Sequence, residues 1–379
     1  MTTTAAFPRE LLAQPAAVRL AYFQDKVVAH PCLKQTHQAL LQAIQQPAGA
    51  SLIFVFGPTG VGKTTLRLRL AQQLLAAAGP ARAQNPGHIP VVALEIAAPE
   101  RGDFRWKDYY TRALQALDEP LLARKIDYGV RHFRRDSEGR LVIGPHAPAS
   151  DLRWALEQAL QQRRPAAFIA DEAQHFKRIA SGRRLLDQMD TLKSLASLTG
   201  TVHVLIGTYE LLGLADLSAQ LNRRSLELHF PRYRPDEAGG LAAFQSVLLT
   251  FQRHLPLAQE PDLIGRSDYC YERSVGCVGV LKNWLVRALA AALADGAKTL
   301  TDKHLAGAAE PTRKLLRMAR EIREGEAAFQ EREAHQTELR TLLGMPTPAA
   351  PERPAAKPGG RVGQRRPVRD PVGQAGPVG

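Results

Sequence analysis

The sequence predicts an α/β fold: a parallel sheet flanked by helices, followed by a small helical region and a disordered C-terminal tail. Two observations carry this prediction. Short apolar runs of strand length alternate with longer runs of helical period, which is typical of strand–helix–strand units. The first apolar run, at 52–56, leads directly into a glycine-rich turn and then a helix, the arrangement of a phosphate-binding loop.

The glycine-rich turn fits the pattern G-x-x-x-x-G-K-[ST]. Its glycines let backbone N–H groups turn toward a phosphate chain where a Cβ would stand in the way. The positive end of the following helix points at the same phosphates. Lys63 is expected to neutralise the β- and γ-phosphates of ATP, and the Thr64 hydroxyl to bind Mg²⁺. The predicted ATP-binding residues are Gly57, Pro58, Thr59, Gly60, Val61, Gly62, Lys63, Thr64 and Thr65.

A second apolar run, at 166–170, ends in two acidic residues, Asp171 and Glu172. Asp171 is expected to hold Mg²⁺ through water, and Glu172 to polarise the water that attacks the γ-phosphate. An isolated pair of this kind is as consistent with two solvated acids at a strand end. With the phosphate loop upstream in a strand–helix alternation, the pair indicates hydrolysis of a nucleoside triphosphate.

A further strand is predicted at 201–207, and Thr208 follows it. Ligands of open α/β sheets lie at the carboxyl ends of the strands. Thr208 is therefore expected to contact the γ-phosphate or to position the attacking water. The alternative is a threonine that only caps the strand. A short strand at 226–230 follows the arginine pair Arg223 and Arg224.

These parts occur in the order used by the AAA+ ATPases, which the chain resembles over about residues 30–310. Finer features resemble one branch, the TniB/TnsC-type transposition regulators. They are FGPTGVGKTTL at 56–66, FRWKDYYTRAL at 104–114, DEAQHF at 171–176, VLIGTYELL at 204–212, QLNRRS at 220–225 and FPRY at 230–233. The segment SVGCVGVLKNWLVRAL, 274–289, is similar to the lid helices of that branch. The long tail and a basic insertion at 124–149 depart from its shorter members.

The resemblance implies the AAA+ P-loop NTPase fold with a helical lid, and it implies roles for three residues. Thr208 would be the polar sensor at the strand tip. Arg223 or Arg224 would be the finger that reaches the γ-phosphate of a neighbouring subunit, a contact that contributes about 10³–10⁵ in rate. The sequence does not choose between the two arginines. The alternative is a solvated pair, or one paired with Glu227.

The function implied is an ATP-dependent, DNA-binding regulator of transposition. ATP would assemble subunits into a ring or filament on target double-stranded DNA, the assembly would recruit a transposase, and hydrolysis to ADP and phosphate would disassemble it. A target-selection protein is a further expected partner. The runner-up is an AAA+ helicase loader or replication initiator. A kinase or metabolic NTPase with a small-molecule acceptor is disfavoured by the arginine pair, the lid and the basic charge.

The net charge is +13 and the isoelectric point about 9.9, which favours a polyanionic partner. No duplex-reading motif is visible, so sequence-independent contacts to the DNA backbone are expected. The alternative for any basic group is a solvated basic face. The predicted DNA-binding residues follow the Asp-Glu strand: Lys177, Arg178, Arg183 and Arg184. The second candidates lie in the insertion: Arg131, Arg134, Arg135 and Arg140.

Five regions are predicted: an N-terminal helical segment (1–50), the nucleotide-binding α/β core (51–234), the helical lid (235–310), a charged helical extension (311–345) and the tail (346–379). The extension is predicted as a solvated helix interrupted at Gly325. The tail contains six basic and two acidic residues and few large apolar side chains, so disorder is expected. Ser150 is the predicted N-cap of a helix at 152–163, and 78–87 a loop.

Three cysteines, Cys32, Cys270 and Cys277, lack metal-ligand spacing and suggest no disulfide framework. They are interpreted as small core residues, which fits a reducing cytoplasm. No stretch approaches the length of a membrane-spanning helix and the N-terminus lacks a signal pattern. A cytoplasmic protein without a membrane partner is therefore expected.

Overall fold

The computed structural model describes residues 6–99, 104–118, 133–135, 137, 141–143, 148–177, 182–216, 224–329 and 333–345. The chain divides into two compact units, Met1–Phe329 and Gln330–Gly379. The first holds the sheet and the helices around it. In the second, one helix is described, and the tail at 346–379 lies outside the described residues. The five predicted domain bounds stay predictions.

The first unit begins with helices and then alternates strands and helices. A 3₁₀ turn, Arg9–Ala13, precedes α1 (Ala16–Asp25) and α2 (Pro31–Gln45). The alternating part contains β1 (Leu52–Phe56), α3 (Lys63–Ala77), α4 (Gly79–Gln84), β2 (Val91–Glu95), α5 (Trp106–Asp118), β3 (Phe133–Arg135), β4 (Leu141–Ile143), α6 (Ala149–Arg163), β5 (Ala167–Asp171), α7 (Gly182–Thr199), β6 (Val202–Gly207), α8 (Leu212–Ala215) and β7 (Ser225–His229).

The remainder is helical. It contains α9 (Gly240–His254), α10 (Ser267–Ser274), α11 (Val278–Ala294), α12 (Asp302–Ala308) and α13 (Thr312–Phe329), and the second unit contains α14 (Glu333–Leu342). Helices were predicted at 241–255, 280–293 and 301–309, and α9, α11 and α12 lie within two residues of those bounds. The predicted helices and strands of the core are found in the same order.

Five strands form one parallel sheet in the order β2-β5-β6-β1-β7. The predicted α/β fold is confirmed. Phe56, at the end of β1, lies in register with Gly207 of β6 and His229 of β7, and Glu95 of β2 with Asp171 of β5. Because the strands are parallel, their carboxyl ends meet at a single edge. That edge carries the phosphate loop, the acidic pair and Thr208.

The sheet is buried on both faces because its central strands are apolar throughout. Phe54 and Phe56 of β1 pack with α5, α6 and α7 on one side. Ile53 and Val55 point the other way and pack with α2 and α3. Burying each such side chain fully contributes about 1.5–3 kcal/mol. The alternation therefore fixes α3, and with it the phosphate loop, against the sheet.

The helices after β7 form their own core, in which α9, α11 and α12 pack around Trp284. The Trp284 side chain is fully buried, and its Nε1 donates to the Leu305 carbonyl at 2.8 Å. A buried indole needs this partner for its N–H group. α1 contributes Phe23 to the same cluster. These helices thus form a helical layer that packs with α1, and its role as a lid stays a prediction.

The basic insertion contains a small antiparallel hairpin, β3 paired with β4, with Arg134 opposite Val142. Arg134 and Arg135 lie on β3, and their side chains are outside the described residues, as are Arg131 and Arg140. The DNA role predicted for this insertion stays a prediction.

Three local predictions were wrong. Ser150 does not cap α6: the helix begins at Ala149, Leu152 N donates to the Pro148 carbonyl, and the Ser150 hydroxyl bonds Asp151. The segment 78–87 is not all loop: α4 begins at Gly79, and Pro80 lies in its first turn, where proline is tolerated. α13 runs through Gly325 without interruption and buries one face, including Leu315 and Ile322.

All three cysteines are free, with Cys270 and Cys277 buried and Cys32 half-buried. Within the described ranges, no group of three His, Cys, Asp or Glu side chains could hold a metal ion. No single helix in that part of the chain is long and apolar enough to cross a membrane. α10 and α11, bent at 109°, pass that test together by length and composition only.

His203 on β6 makes the fold sensitive to acid. The ring is fully buried, stacks on Phe168 at 5.0 Å and donates from Nδ1 to the Thr201 carbonyl at 3.1 Å. Burial lowers the pKa of His203 from 6.5 to about 4. Below pH 6.5 the unfolded chain therefore binds a proton at His203, whereas the folded chain binds it only near pH 4. The contribution of His203 to the free energy of unfolding is fully present above pH 6.5 and is lost as the pH falls from 6.5 to about 4.

We expect His203→Phe to reduce this loss, because the phenyl ring keeps the stack and cannot titrate. The free energy of unfolding, measured by denaturant titration at several pH values, should fall by about 1.4 kcal/mol less per pH unit in this window. His335→Phe, at an exposed position, is the control. Parallel pH curves for wild type and His203→Phe would contradict the assignment.

Candidate nucleotide site

The phosphate loop joins β1 to α3 and is shaped by glycines in the left-handed region. Gly60 has φ +79° and Gly62, the N-cap of α3, has φ +117°. These angles are open to glycine and costly for other residues. Lys63 begins α3, is buried, and donates from Nζ to the carbonyls of Gly57 at 3.1 Å and Pro58 at 2.9 Å. The loop is thereby closed around the ammonium group.

The Lys63 ammonium is buried among backbone carbonyls and near two carboxylates. Burial lowers its pKa, and the carboxylates of Glu172 and Asp171 act against this shift. It forms no ion pair with the described residues, only the two carbonyl bonds. An ammonium group without a bound counter-charge in a buried position favours the arrival of an anion.

The lid lies directly on the phosphate loop. Gly279 N, in the first turn of α11, donates to the Gly60 carbonyl at 2.7 Å. A Cβ at Gly279 would lie 2.5 Å from that oxygen, and a Cβ at Gly60 would lie 2.6 Å from Val280 Cγ2. Only glycine at both positions permits this approach. The lid therefore touches the loop that would surround the phosphates.

Asp171, the last residue of β5, is 2% exposed. Its Oδ2 accepts from Arg67 Nε at 3.1 Å, and its Oδ1 accepts from the backbone N–H of Glu172 at 3.0 Å. Burial raises the pKa of Asp171, and the Arg67 guanidinium partly offsets this. Arg67 lies one turn after Lys63 on α3, so a single helix carries cations for both the phosphates and the acidic strand.

Gln174 links Glu172, which follows β5, to Thr208, which follows β6, through two hydrogen bonds. Glu172 adopts φ +55°, an unusual angle for a side chain of this type. Gln174 Nε2 donates to Glu172 Oε2, while Gln174 Oε1 accepts from the backbone N–H of Thr208 at 3.3 Å. The carboxylate is therefore positioned by an amide that also bonds the neighbouring strand. Unusual backbone angles of this kind cluster at functional sites.

Thr208 follows β6 and caps a 3₁₀ turn, Tyr209–Leu211. Its Oγ1 is buried and has no hydrogen-bond partner among the described residues. A cavity of about 470 Å³ lies beside it, between the loop residues Pro58 and Thr59 and the helix α13. A buried hydroxyl without a partner next to the phosphate loop fits a group that bonds a ligand.

α13 covers this edge of the sheet and is held by an ion pair. Arg232 Nε and Nη2 donate to Glu326 Oε1 at 2.8 Å and Oε2 at 3.1 Å, and Arg232 Nη1 donates to Tyr271 Oη at 2.8 Å. The absence of a Cβ at Gly325 lets Tyr209 pack on the helix, since a Cβ would lie 2.2 Å from its ring. The charged extension was predicted as solvated, and this face of it is buried instead.

We expect Glu326→Ala to destabilise the fold by about 3–5 kcal/mol, because it leaves the Arg232 charge without its partner in a mostly buried place. Glu321→Ala is the control on the same helix. Its ion pair with Arg317 is exposed, so its effect should stay within about 0.5 kcal/mol. The measurement is chemical denaturation of both variants. Equal effects would show that the buried pair contributes no more than a surface one.

The structure places most of the sequence-predicted site residues at one edge, and their roles stay predictions. Thr59 and Thr64 are exposed and Thr65 is half-buried around the buried Lys63. Arg224 is exposed and donates to Ser197 Oγ at 3.2 Å rather than to Glu227. Arg223 lies outside the described residues. Lys177 is exposed, Arg178 lies outside the described residues, and so do the side chains of Arg183 and Arg184.

Sequence reasoning missed Arg67, Gln174 and the Arg232–Glu326 pair. Arg67 falls on the same face of α3 as Lys63 at a spacing of four, which is a readable signal. Gln174 stands in the DEAQ segment two residues after Glu172, yet nothing in its position indicates that its amide bonds Thr208. Arg232 and Glu326 are 94 residues apart, so no local pattern could join them.

The residues present fit a nucleoside triphosphate. The loop provides glycine angles, backbone N–H groups and a buried ammonium, and the unpartnered Thr208 hydroxyl lies beside it. Thr64 and Asp171 are the oxygen donors that would hold Mg²⁺, a cation that prefers such ligands and binds together with phosphates. The chemistry of the donor set therefore agrees with both groups.

Comparison with known families agrees with this geometry. Residues 31–214 match the family described as AAA domain. The match covers 184 of the 379 residues, slightly less than half of the chain, and shows what this part of the chain is similar to. The matched range contains the phosphate loop, Asp171, Glu172 and Thr208, and the sheet has the AAA+ P-loop NTPase fold. Comparison with curated protein sequences finds no match.

Solved structures share the fold at low identity. The ADP form of the Aeropyrum pernix ORC2 protein is 16% identical, with a TM-score of 0.50. The alignment covers 76% of this chain and 71% of the ORC2 chain. The A. pernix ORC1 protein in complex with DNA is 18% identical, covers 78% of this chain and 68% of its own, and has a TM-score of 0.49. At such identities the likeness to ORC2 concerns the fold of the AAA domain and its surroundings alone.

Proposed function

We propose that this chain is an ATP-dependent, DNA-binding AAA+ regulator of DNA transposition. The observation that carries the ATPase part is the meeting of Lys63, the Asp171–Glu172 pair and Thr208 at one sheet edge. The transposition part is supported by the combination of FRWKDYYTRAL, GTYELL and QLNRRS, which resembles the TniB/TnsC branch. A cytoplasmic setting without a membrane partner belongs to this proposal.

The proposed reaction is hydrolysis of ATP to ADP and phosphate. Lys63 and the loop N–H groups bind the phosphates, and Glu172, oriented by Gln174, accepts a proton from the attacking water. Thr208 offers its free hydroxyl to the γ-phosphate or that water. When bound at Thr64 and Asp171, Mg²⁺ supplies charge neutralisation to the phosphate oxygens. No nucleophile on the protein is needed.

The lid contact makes the site suitable as a switch. The Gly60–Gly279 contact couples the loop to the helical layer, so a change of bound nucleotide reaches α11 without an intermediary. A nucleotide shifts an equilibrium only by its different affinity for the two states. ATP would favour the assembled form on double-stranded DNA, and ADP the dispersed form. The net charge of +13 supports a polyanionic partner.

The arginine finger is the part of the proposal that needs a second copy of the chain. The Arg224 carbonyl accepts from Ser51 N at 2.8 Å and Leu52 N at 3.1 Å, at the amino end of β1. The strand between this point and the phosphate loop spans about 16 Å. Arg224 therefore lies at the sheet edge opposite its own phosphate loop and can act only on a neighbour.

We expect one of Arg223→Ala and Arg224→Ala to abolish hydrolysis while ATP still binds. The measurement is turnover in mixtures with a second subunit carrying Glu172→Gln, whose own site is inactive. The finger variant has an intact site, so the Glu172→Gln neighbour should restore part of the activity by supplying the arginine. Unchanged turnover in both arginine variants would place the finger elsewhere.

The partner test separates this function from its alternatives. Purified chain with ATP and duplex DNA is tested for binding to candidate transposases from the same source and, in parallel, to its replicative helicase. Transposase binding that requires ATP and DNA supports the proposal. Helicase binding alone would make the chain a helicase loader. ATP turnover that DNA does not stimulate would favour a small-molecule NTPase.

A further inference from the structure

A second cavity, which unlike the first is lined by cationic side chains, lies away from the phosphate loop, between α2 and α3. Its volume is about 260 Å³, and it is lined by Leu33, Lys34, His37, Arg69 and Gln73. Leu33 is buried and forms its floor, whereas Lys34 and Gln73 are exposed at its rim. Three of the five lining residues carry or can carry a positive charge, and none is acidic. The cavity thus offers cationic donors around an open space.

The charges of this cavity are not neutralised by the described part of the chain. Lys34 and Arg69 form no ion pair with any described carboxylate, in contrast to Arg67, one turn earlier, which pairs with Asp171. The charge of Arg69 also lowers the pKa of two histidines beside it, His30 and His37, in both cases after burial as the larger cause. An excess of positive charge therefore persists here in the folded chain.

His37 adds a hydrogen-bonding group that lacks a partner. Its Nε2 is buried and has no hydrogen-bond partner among the described residues, although the Arg69 backbone lies close enough to the imidazole to raise its pKa and partly offset the effect of burial. Buried polar atoms of this kind are rare, because an unmet hydrogen bond costs about 1–3 kcal/mol. A buried imidazole N–H in a cavity that two cations also line is satisfied by an acceptor that is itself negative. An anion with several oxygens can accept hydrogen bonds from Lys34, Arg69 and His37 at the same time.

The cavity is separate from the predicted nucleotide phosphates. Arg69 lies six residues after Lys63 on α3, about 9 Å along the helix axis. The Lys63 ammonium bonds the Gly57 and Pro58 carbonyls, and neither of these residues lines the α2–α3 cavity. α2 covers this part of α3, whereas the loop is covered by α11. One helix therefore carries two cationic groups directed to different places.

We propose that the α2–α3 cavity binds a phosphate group, held by Lys34 and Arg69 with His37 as a third donor. Arg provides a planar fork of N–H groups, and Lys a point charge, the pair of residue types used for phosphate oxygens. The volume exceeds that of one phosphate and leaves room for an attached sugar or for water. Two sources share this chemistry: the backbone of a nucleic acid and free phosphate.

The test uses the full chain and the double variant Lys34→Ala with Arg69→Ala. The control is Lys298→Ala with Arg313→Ala, which removes the same charge from two exposed residues without an ion pair among those described. Duplex DNA binding is measured by fluorescence anisotropy across salt concentrations. Binding of inorganic phosphate is followed by ³¹P NMR in a Lys63→Ala background, so that the phosphate loop does not contribute. ATP affinity is measured for each chain with Lys63 intact.

A nucleic-acid source predicts DNA affinity about tenfold lower in the double variant than in the control. The slope of log affinity against log salt should also fall by about one, because both cations hold the same phosphate group. A free-phosphate source predicts that the double variant loses the phosphate-dependent NMR change while DNA affinity matches the control. Either result supports the site, and ATP affinity should be unchanged in both.

Two results would overturn the proposal. One is a double variant that matches the control in both DNA and phosphate binding. The other is a loss of ATP affinity, which would assign Lys34 and Arg69 to the nucleotide site instead. The phosphate measurement does not depend on the transposition proposal. A chain that binds no DNA would therefore refute that function and still leave the cavity tested.

Discussion

Lys63→Ala is expected to lower ATP affinity by at least about a hundredfold. The Lys63 ammonium is the buried cation of the phosphate loop, and hydrogen bonds to charged groups contribute about 1.5–3 kcal/mol each. The substitution also removes the bonds to the Gly57 and Pro58 carbonyls that close the loop. Binding of a fluorescent ATP analogue, measured by anisotropy, gives the affinity of the variant.

The control for this variant is Lys298→Ala, at an exposed lysine outside the site. It should bind ATP with the affinity of the wild type. Circular dichroism of both variants checks that the sheet and helices persist. If Lys63→Ala binds ATP as tightly as Lys298→Ala, then the assignment of 57–65 as the ATP-binding loop is wrong.

Glu172→Gln is expected to keep ATP binding and to reduce hydrolysis by about 10²–10⁴, the usual contribution of a general base. A glutamine keeps the shape of the side chain and can still accept from Gln174 Nε2. It cannot take a proton from water. On the switch proposal the variant should also remain assembled on DNA with ATP. Phosphate release and ATP binding are measured on the same preparation.

Glu95→Gln is the matched control, since Glu95 ends the adjacent strand β2 in register with Asp171 and is exposed. The same substitution there should leave turnover unchanged. Turnover of Glu172→Gln equal to that of Glu95→Gln would remove Glu172 from the reaction and leave Asp171 as the one acid of β5 with a proposed role.

The sheet and the phosphate loop follow from local patterns and could be predicted from the sequence. Leu52–Phe56 is a continuous apolar run between turn residues, and the structure gives the strand those bounds. The loop that follows needs glycine at fixed positions, so its conformation is encoded by residue type. The parallel direction of the strands follows from the crossover connections that such alternation requires, whereas their order in the sheet does not.

The contacts that orient the site could not be predicted because they join distant residues. Arg232 meets Glu326 only when α13 returns over the sheet edge, and the sequence of α13 alone suggests a solvated helix. Gly325 suggested a break by its low helix propensity. Its position against Tyr209 shows that a close approach, rather than a bend, needs the missing side chain.

Residue type also failed to predict one helix start and one hydrogen bond between neighbouring strands. Ser150 has the residue type of an N-cap, yet the carbonyl of Pro148 already accepts the first helical bond of α6, so the helix begins before it. The bond from Gln174 to the Thr208 backbone depends on β5 and β6 being neighbours in the sheet. The order of the strands in the sheet determines which of the side chains at their carboxyl ends come into contact.

The central claim is that ATP controls the assembly of this chain on double-stranded DNA. The most direct measurement is mass photometry of the full chain with a long DNA duplex, in the presence of a slowly hydrolysed ATP analogue, of ADP, or of no nucleotide. From the proposed function we expect many subunits on each duplex with the analogue, and few or none with ADP. The same number of subunits on DNA in all three conditions, or no binding to DNA in any of them, would contradict it.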